Sequence, residues 1–230
     1  MQPDLPSTKI AKASAVHYHL LMKHSPLVLT ILLLLCASAH AQTISPDDGT
    51  VKDGVYYNSY FNLSFTYPKD WVVYDKAVND RIQQRTIEEA AKAGNPVQQK
   101  DIYSLLAVTR HPRGTPGIPV NPAVFVAAER VPGNPNGKEY LLDLRSVRQK
   151  TGRPPLLDKP VEFRVAGLQF FRDDYGYDVN TVSVRNSLFV HVEKGYALIF
   201  SFTAGDQKTV EEMAKSMETI LPWGRGGNRP

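Results

Sequence analysis

The sequence predicts an α+β fold: a mainly antiparallel β-sheet flanked by helices. Three observations predict it. Several short stretches alternate apolar and polar residues with period two, and are rich in Tyr, Phe and Val. Three other stretches place apolar residues at helical spacing behind a capping residue. The order strands, helix, strands, helix, meander, helix lacks the regular alternation that builds a parallel sheet.

The elements follow in chain order. Residues 42–54 are polar and rich in turn formers, and read as a flexible entry. In 60–67, Phe61, Leu63, Phe65 and Tyr67 alternate with Tyr60, Asn62, Ser64 and Thr66, the pattern of a strand with one buried face. Pro68, Lys69 and Asp70 make a turn, and 71–74 a second short strand in which the large ring of Trp71 is a core residue. Asp75 caps a helix over 76–93, which Gly94, Asn95 and Pro96 stop. Its apolar stripe is thin: Val78, Ile82, Ala90 and Ala91. A strand over 102–110 leads into a loop, 111–121, that carries Pro112, Pro116 and Pro119 with Gly114 and Gly117 between them. Proline removes backbone donors and glycine removes packing, so this loop projects from the sheet. A strand over 124–129 and a loop over 132–137 precede a second helix, 138–150, with Tyr140, Leu141, Leu144 and Val147 on one face. Strands over 161–165, 168–172, 181–193 and 196–203 form a meander, the last two joined at Lys194-Gly195. Asp206 caps a final helix over 206–221, with Val210, Met213, Met217 and Ile220 at helical spacing. Residues 224–230 are a frayed tail.

The first 41 residues read as an export signal. Leu27 to Leu35 is apolar apart from Thr30, and Ala39 and Ala41 set the A-x-A pattern for cleavage before Gln42. The run is shorter than the about 20 residues of a membrane span. A lipoprotein anchored at Cys36 is disfavoured because Leu35 precedes the cysteine, and an uncleaved anchor is the other alternative. Met22, Lys23 and His24 begin a compact signal, so translation is expected to start at Met22; the alternative is that residues 1–21 are a long n-region of the signal. The layout expected is leader 1–41, linker 42–54, one domain over 55–223 and tail 224–230. The location expected is the periplasm or the exterior.

Charge and cysteine usage exclude whole classes. Lys9, Lys12 and Lys23 against Asp4 give the leader +2 of the net +4, so the mature part has no charge excess that demands nucleic acid. The one cysteine lies in the leader, so the mature domain has no disulfide, thiolate metal site or cysteine nucleophile.

Candidate sites are weak. His111 and His191 are the mature domain's two histidines. His191 shares a strand face with Phe189 and Glu193 and reads as a surface strand residue. Acid–base chemistry would need it beside Asp173, Asp174 or Asp178. The run 173–180 gathers oxygen ligands around Gly176, as calcium loops do, but lacks the EF-hand register and reads as a polar turn. No G-x-S-x-G elbow is present, and Gly224-Arg225-Gly226-Gly227 lacks the strand–helix setting of a phosphate loop. Asn62-Leu63-Ser64 matches a glycosylation sequon inside the predicted strand. No catalytic, cofactor-binding or metal-ligating residue is assigned.

The segment from Tyr60 to Asp75, YFNLSFTYPKDWVVYD, resembles the opening of PsbP-like domains: an aromatic strand, a Tyr-Pro pair, a turn and a Trp. The ending is similar too, with Gly195-Tyr196, the strand LIFSFTA and a closing helix. The resemblance spans about 55–223 and rests on core and turn residues. It implies an α/β/α sandwich around an antiparallel sheet. Its relatives include photosystem extrinsic subunits and a nuclear-transport factor, which act by binding partners; no functional residue carries over. The function expected is an exported, non-enzymatic binding or accessory domain without cofactor. Its partner would be another protein or an envelope component, with no nucleic acid and no stable membrane span in the mature form. The alternatives are a small hydrolase or metal-dependent enzyme, and an apolar-ligand carrier. The loop 111–121, made locally positive by Arg110 and Arg113, is either the contact with the partner or a tolerated insertion with no role.

Overall fold

A computed structural model describes residues 45–92, 101–150 and 152–222. All of them belong to the unit Ser45–Pro230. The leader with its cleavage site, Met22 and Cys36, the stop signal at 94–96 and the tail 224–230 lie outside the described residues.

Two antiparallel sheets make the frame. The smaller has the order β1 (Thr50–Lys52), β2 (Val55–Asn58), β3 (Leu63–Thr66) and β11 (Leu221–Pro222). The larger runs β4 (Val72–Val73), β5 (Ile102–Thr109), β6 (Ala123–Arg130), β10 (Tyr196–Ala204), β9 (Val182–Glu193), β8 (Leu168–Val179) and β7 (Val161–Val165). The helices are α1 (Lys76–Lys92), α2 (Gly137–Lys150) and α3 (Gln207–Ala214). Among the described residues, no helix is long and apolar enough to cross a membrane.

The alternation in β10 sorts the layers. Tyr196, Leu198, Phe200 and Phe202 face the main core, shared with Tyr56, Phe65 and Leu63 of the small sheet and with Val210 and Met213 of α3. Ala197 and Ile199 face the other way, onto Leu141, Tyr140 and Leu144 of α2. The large sheet is thus sandwiched between α2 on one face and α3 with the small sheet on the other. Phe65, Phe170, Phe200, Phe202 and Met217 are fully buried and fill the main core. Trp71, 7% exposed, belongs to it as expected.

Local chemistry explains the starts and turns. Asp75 Oδ1 accepts the Val78 N–H at 2.9 Å and caps α1; Asp206 does the same for α3 through Thr209 at 2.8 Å. Helix α2 opens on a capping box: Asn136 Oδ1 accepts from Lys138 and Glu139 N–H, and Glu139 Oε2 accepts from Asn136 N–H. Its first residue must be small, since a Cβ on Gly137 would sit 2.6 Å from the Val190 carbonyl oxygen. Lys194 and Gly195, both at positive φ, make the expected tight hairpin.

Four expectations are corrected. The run 173–180 is not a turn: β8 continues to Val179, with Asp173 neutralised by Arg145 of α2 and Asp174 by Arg172 of the same strand. The strand expected over 60–67 begins at Leu63. Asn62 adopts φ 50° in a turn that the buried Asn58 pins by accepting the Phe61 N–H, so the sequon asparagine is on a turn. The final helix ends at Ala214. A 3-10 turn, Lys215–Thr219, follows, and Leu221 pairs with Ser64 in the small sheet. The segment read as a flexible entry carries β1, and Asp47 is held by Asn58, which donates to its carbonyl at 3.0 Å.

Candidate functional site

The loop 111–121 leaves the sheet through a closed neck. Arg110 N–H donates to Pro122 O at 2.9 Å. His111 and Asn121 clasp one another, His111 N–H to Asn121 Oδ1 at 3.1 Å and Asn121 Nδ2 to His111 O at 2.6 Å. Beyond the neck, Gly114 and Gly117 take positive φ and no atom lies within 4 Å of where their Cβ would be. The loop therefore stands clear of the sheet on a rigid base, the setting in which binding residues are commonly held. His111 contributes its backbone N–H and carbonyl to this neck.

Helix α1 runs beside β5. The Gln83 side chain donates to the Ile102 carbonyl and accepts from Ser104 N–H. These bonds sit at a bulge between Ser104 and Leu106 that lets two consecutive leucines, Leu105 and Leu106, enter the same core. With the helix so anchored, Val78, Arg81, Arg85 and Glu88 fall along one stripe. That stripe and Arg113 of the loop line an open groove of about 390 Å³, with Gln84. Three arginines and one glutamate thus line one concavity. Arg81 donates to the Ala77 carbonyl at 3.2 Å, and Glu88 accepts from Gln84 at 3.2 Å. No ion pair joins Arg81, Arg85 or Arg113 to a carboxylate among the described residues. Arg110 points elsewhere, over the Trp71 ring at 5.6 Å.

The histidine–aspartate set is not assembled. Asp173 lies on the α2 face and is bound bidentately by Arg145, at 2.8 and 2.5 Å, while Arg145 also donates to the carbonyls of Leu157 and Asp158. Asp174 lies on the opposite face, held by Arg172 at 2.9 and 2.7 Å, by Ser187 at 2.5 Å and by Gln207 at 3.2 Å. Asp178 is at the far end, where Ser183 and Arg185 hold its carboxyl below the ordinary value. His191 is half-buried rather than on the surface. Its Nδ1 is 2.8 Å from the Gln169 carbonyl and its Nε2 3.8 Å from Glu193. Burial works to lower its pKa, but Glu193 and the Gln169 carbonyl outweigh it and hold it above the ordinary value. Among the described residues, no group of three or more His, Cys, Asp or Glu side chains is placed to hold a metal ion.

Sequence reasoning pointed to Arg113 and missed Arg81 and Arg85. Their spacing of four was visible, but nothing in the sequence says which side of the sheet α1 takes.

No protein-family model matches the chain, and no curated protein does. The fold is similar to several solved structures. Cyanobacterial PsbP of Synechocystis sp. PCC 6803 is 12% identical over 76% of this chain and 96% of that one, with a TM-score of 0.39. LpqN of Mycobacterium tuberculosis, a protein involved in cell envelope biogenesis, is 10% identical over 77% of this chain and 88% of that one, with a TM-score of 0.39. A Bacteroides thetaiotaomicron protein is 12% identical with a TM-score of 0.37; the match covers 74% of this chain but only 48% of that protein's length. The PsbP-like resemblance read over 55–223 has its counterpart among these structures, as a distant likeness of fold.

Proposed function

We propose that the chain is an exported, non-enzymatic binding domain that holds an anionic partner in the groove between α1 and the loop 111–121. The observation that carries this is the convergence of Arg81, Arg85 and Arg113 on one concavity with no carboxylate paired to any of them among the described residues. Like charges brought together repel, and a bound anion relieves that repulsion while forming charge-assisted hydrogen bonds. The export half of the proposal is supported by the sequence of 1–41, which reads as a leader cleaved between Ala41 and Gln42 for delivery to the periplasm or the exterior. The hydrolase and metal-enzyme readings lose their residue set, because the three aspartates are divided between two faces and one end of the sheet. The carrier reading loses its space, because aromatic side chains fill the main core.

Crosslinking in the native envelope, followed by recovery of the tagged protein, tests the proposal. Reversing the groove charges (Arg81→Glu, Arg85→Glu and Arg113→Glu together) is expected to abolish recovery of the specific partner. Lys208→Glu, a reversal on α3, is expected to leave it intact. Equal recovery by both variants would sink the proposal.

A further inference from the structure

The outer edge of β7 closes the large sheet on one side, and among the described residues nothing pairs with it. Its hairpin to β8 turns on two residues, Ala166 and Gly167, both at positive φ. Such a turn makes Val165 and Leu168 a hydrogen-bonded pair. The register then directs the backbone groups of Val161, Phe163 and Val165 inward to β8. Those of Glu162 and Arg164 point outward, unpaired. Beyond β7 the same edge of β8 is already covered, since Leu156 N–H donates to Asp174 O and Gly176 N–H to Pro154 O. The unprotected stretch is therefore short and sharply bounded.

We propose that this edge pairs antiparallel with β7 of a second copy of the chain, about a two-fold axis at Phe163, joining the two large sheets into one. Three independent features agree on that register. Glu162 and Arg164 are the residues whose N–H and C=O point outward, and a two-fold at Phe163 sets Glu162 opposite Arg164 of the second copy, and the reverse. These two form hydrogen-bonded pairs, four backbone bonds in all. Their side chains, 44% and 67% exposed, pair with one another along the strand, and in this register they also meet as two opposite-charge cross-strand pairs. A two-fold at Glu162 or at Arg164 sets the other outward residue opposite Pro160, which has no N–H, or opposite Ala166 in the turn, and brings like charges face to face, so backbone and charge select the same register. Val161, 50% exposed, comes opposite Val165 and is covered. Charged side chains ordinarily discourage pairing at an edge strand; on β7 the two charges are of opposite sign and, in this register, complementary to those of a second copy.

Sedimentation velocity of the protein recovered from expressing cells tests this. The wild type is expected to dimerise in the micromolar range. Glu162→Arg sets Arg against Arg, and Arg164→Glu sets Glu against Glu. Each is expected to weaken self-association by at least about tenfold. Mixed in equal amounts, the two variants are complementary and are expected to form a heterodimer, and the double exchange E162R/R164E to restore the homodimer. The mixture and the double exchange guard against a folding artefact. A monomeric wild type, single reversals that dimerise undiminished, or a mixture that stays monomeric would each overturn the proposal.

Discussion

Arg145 and Asp173 are only 11% and 1% exposed at the side chain, so neither charge can be rehydrated if the other is removed. Arg145→Ala leaves a buried carboxylate without its two guanidinium bonds and is expected to cost about 3–5 kcal/mol, measured by urea unfolding. Asp178→Ala removes a carboxylate exposed to solvent and is expected to shift the midpoint hardly at all; equal losses in the two variants would refute the distinction. His191 offers a second test at this scale. Its neighbours are Glu193, the Gln169 carbonyl and the Phe170 ring, whose centroid is 5.3 Å away. A histidine whose folded pKa is raised binds its proton more tightly in the native state. The stabilisation is fully present below the unfolded pKa, about 6.5, and is lost as pH rises through the higher folded value. Unfolding free energy, measured from acid to alkaline pH, is expected to fall across that window in the wild type by more than in His191→Gln. Parallel profiles would show that the histidine is uncoupled.

At the level of elements, the closed neck at His111 and Asn121 separates the loop's tip from the sheet's stability. Replacing 112–119 with a short Gly-Ser linker keeps every neck hydrogen bond and is expected to leave the melting temperature unchanged, while partner recovery falls. A large drop in melting temperature would show that the loop packs where the structure leaves it clear. The same contrast between local and distant information explains how much could be read beforehand. Asp75, Asp206 and Lys194-Gly195 act on backbone groups within three residues, and each was legible in the sequence. Asp173 and Asp174 were misread as a turn because the partner that lets Asp173 lie in a strand, Arg145, is 28 residues away. Met213, Met217 and Ile220 kept a helical rhythm past the true end of α3, because a 3-10 turn also brings every third residue to one side. The groove was half legible: the Pro/Gly loop announced itself, whereas the side of the sheet taken by α1 depends on the bulge at Leu105 and on Gln83.

For the whole molecule, the question is whether the small sheet is an appendage or part of one cooperative unit. Tyr56, Leu63 and Phe65 from the small sheet share a core with Phe200 and Phe202 of β10, and the Phe65 ring lies 5.1 Å from that of Phe200. The chain's last described segment closes the same seam. Met217 and Ile220 are buried, Leu221 pairs with Ser64, and Thr66 N–H donates to the Thr219 hydroxyl at 3.0 Å. Residues 153 positions apart in sequence thus hold one another, and the small sheet cannot open without exposing the aromatic face of the large one. Ile220→Ala removes a side chain that is 1% exposed and is expected to cost about 2–5 kcal/mol. If the two sheets form one unit, that loss appears equally in the hydrogen-exchange free energies of amides in β3 and in β10, although Ile220 lies next to only one of them in the pairing scheme. A loss confined to β3, with β10 protected as in the wild type, would show that the small sheet unfolds alone. Its core with the large sheet would then be a docking surface rather than a shared interior.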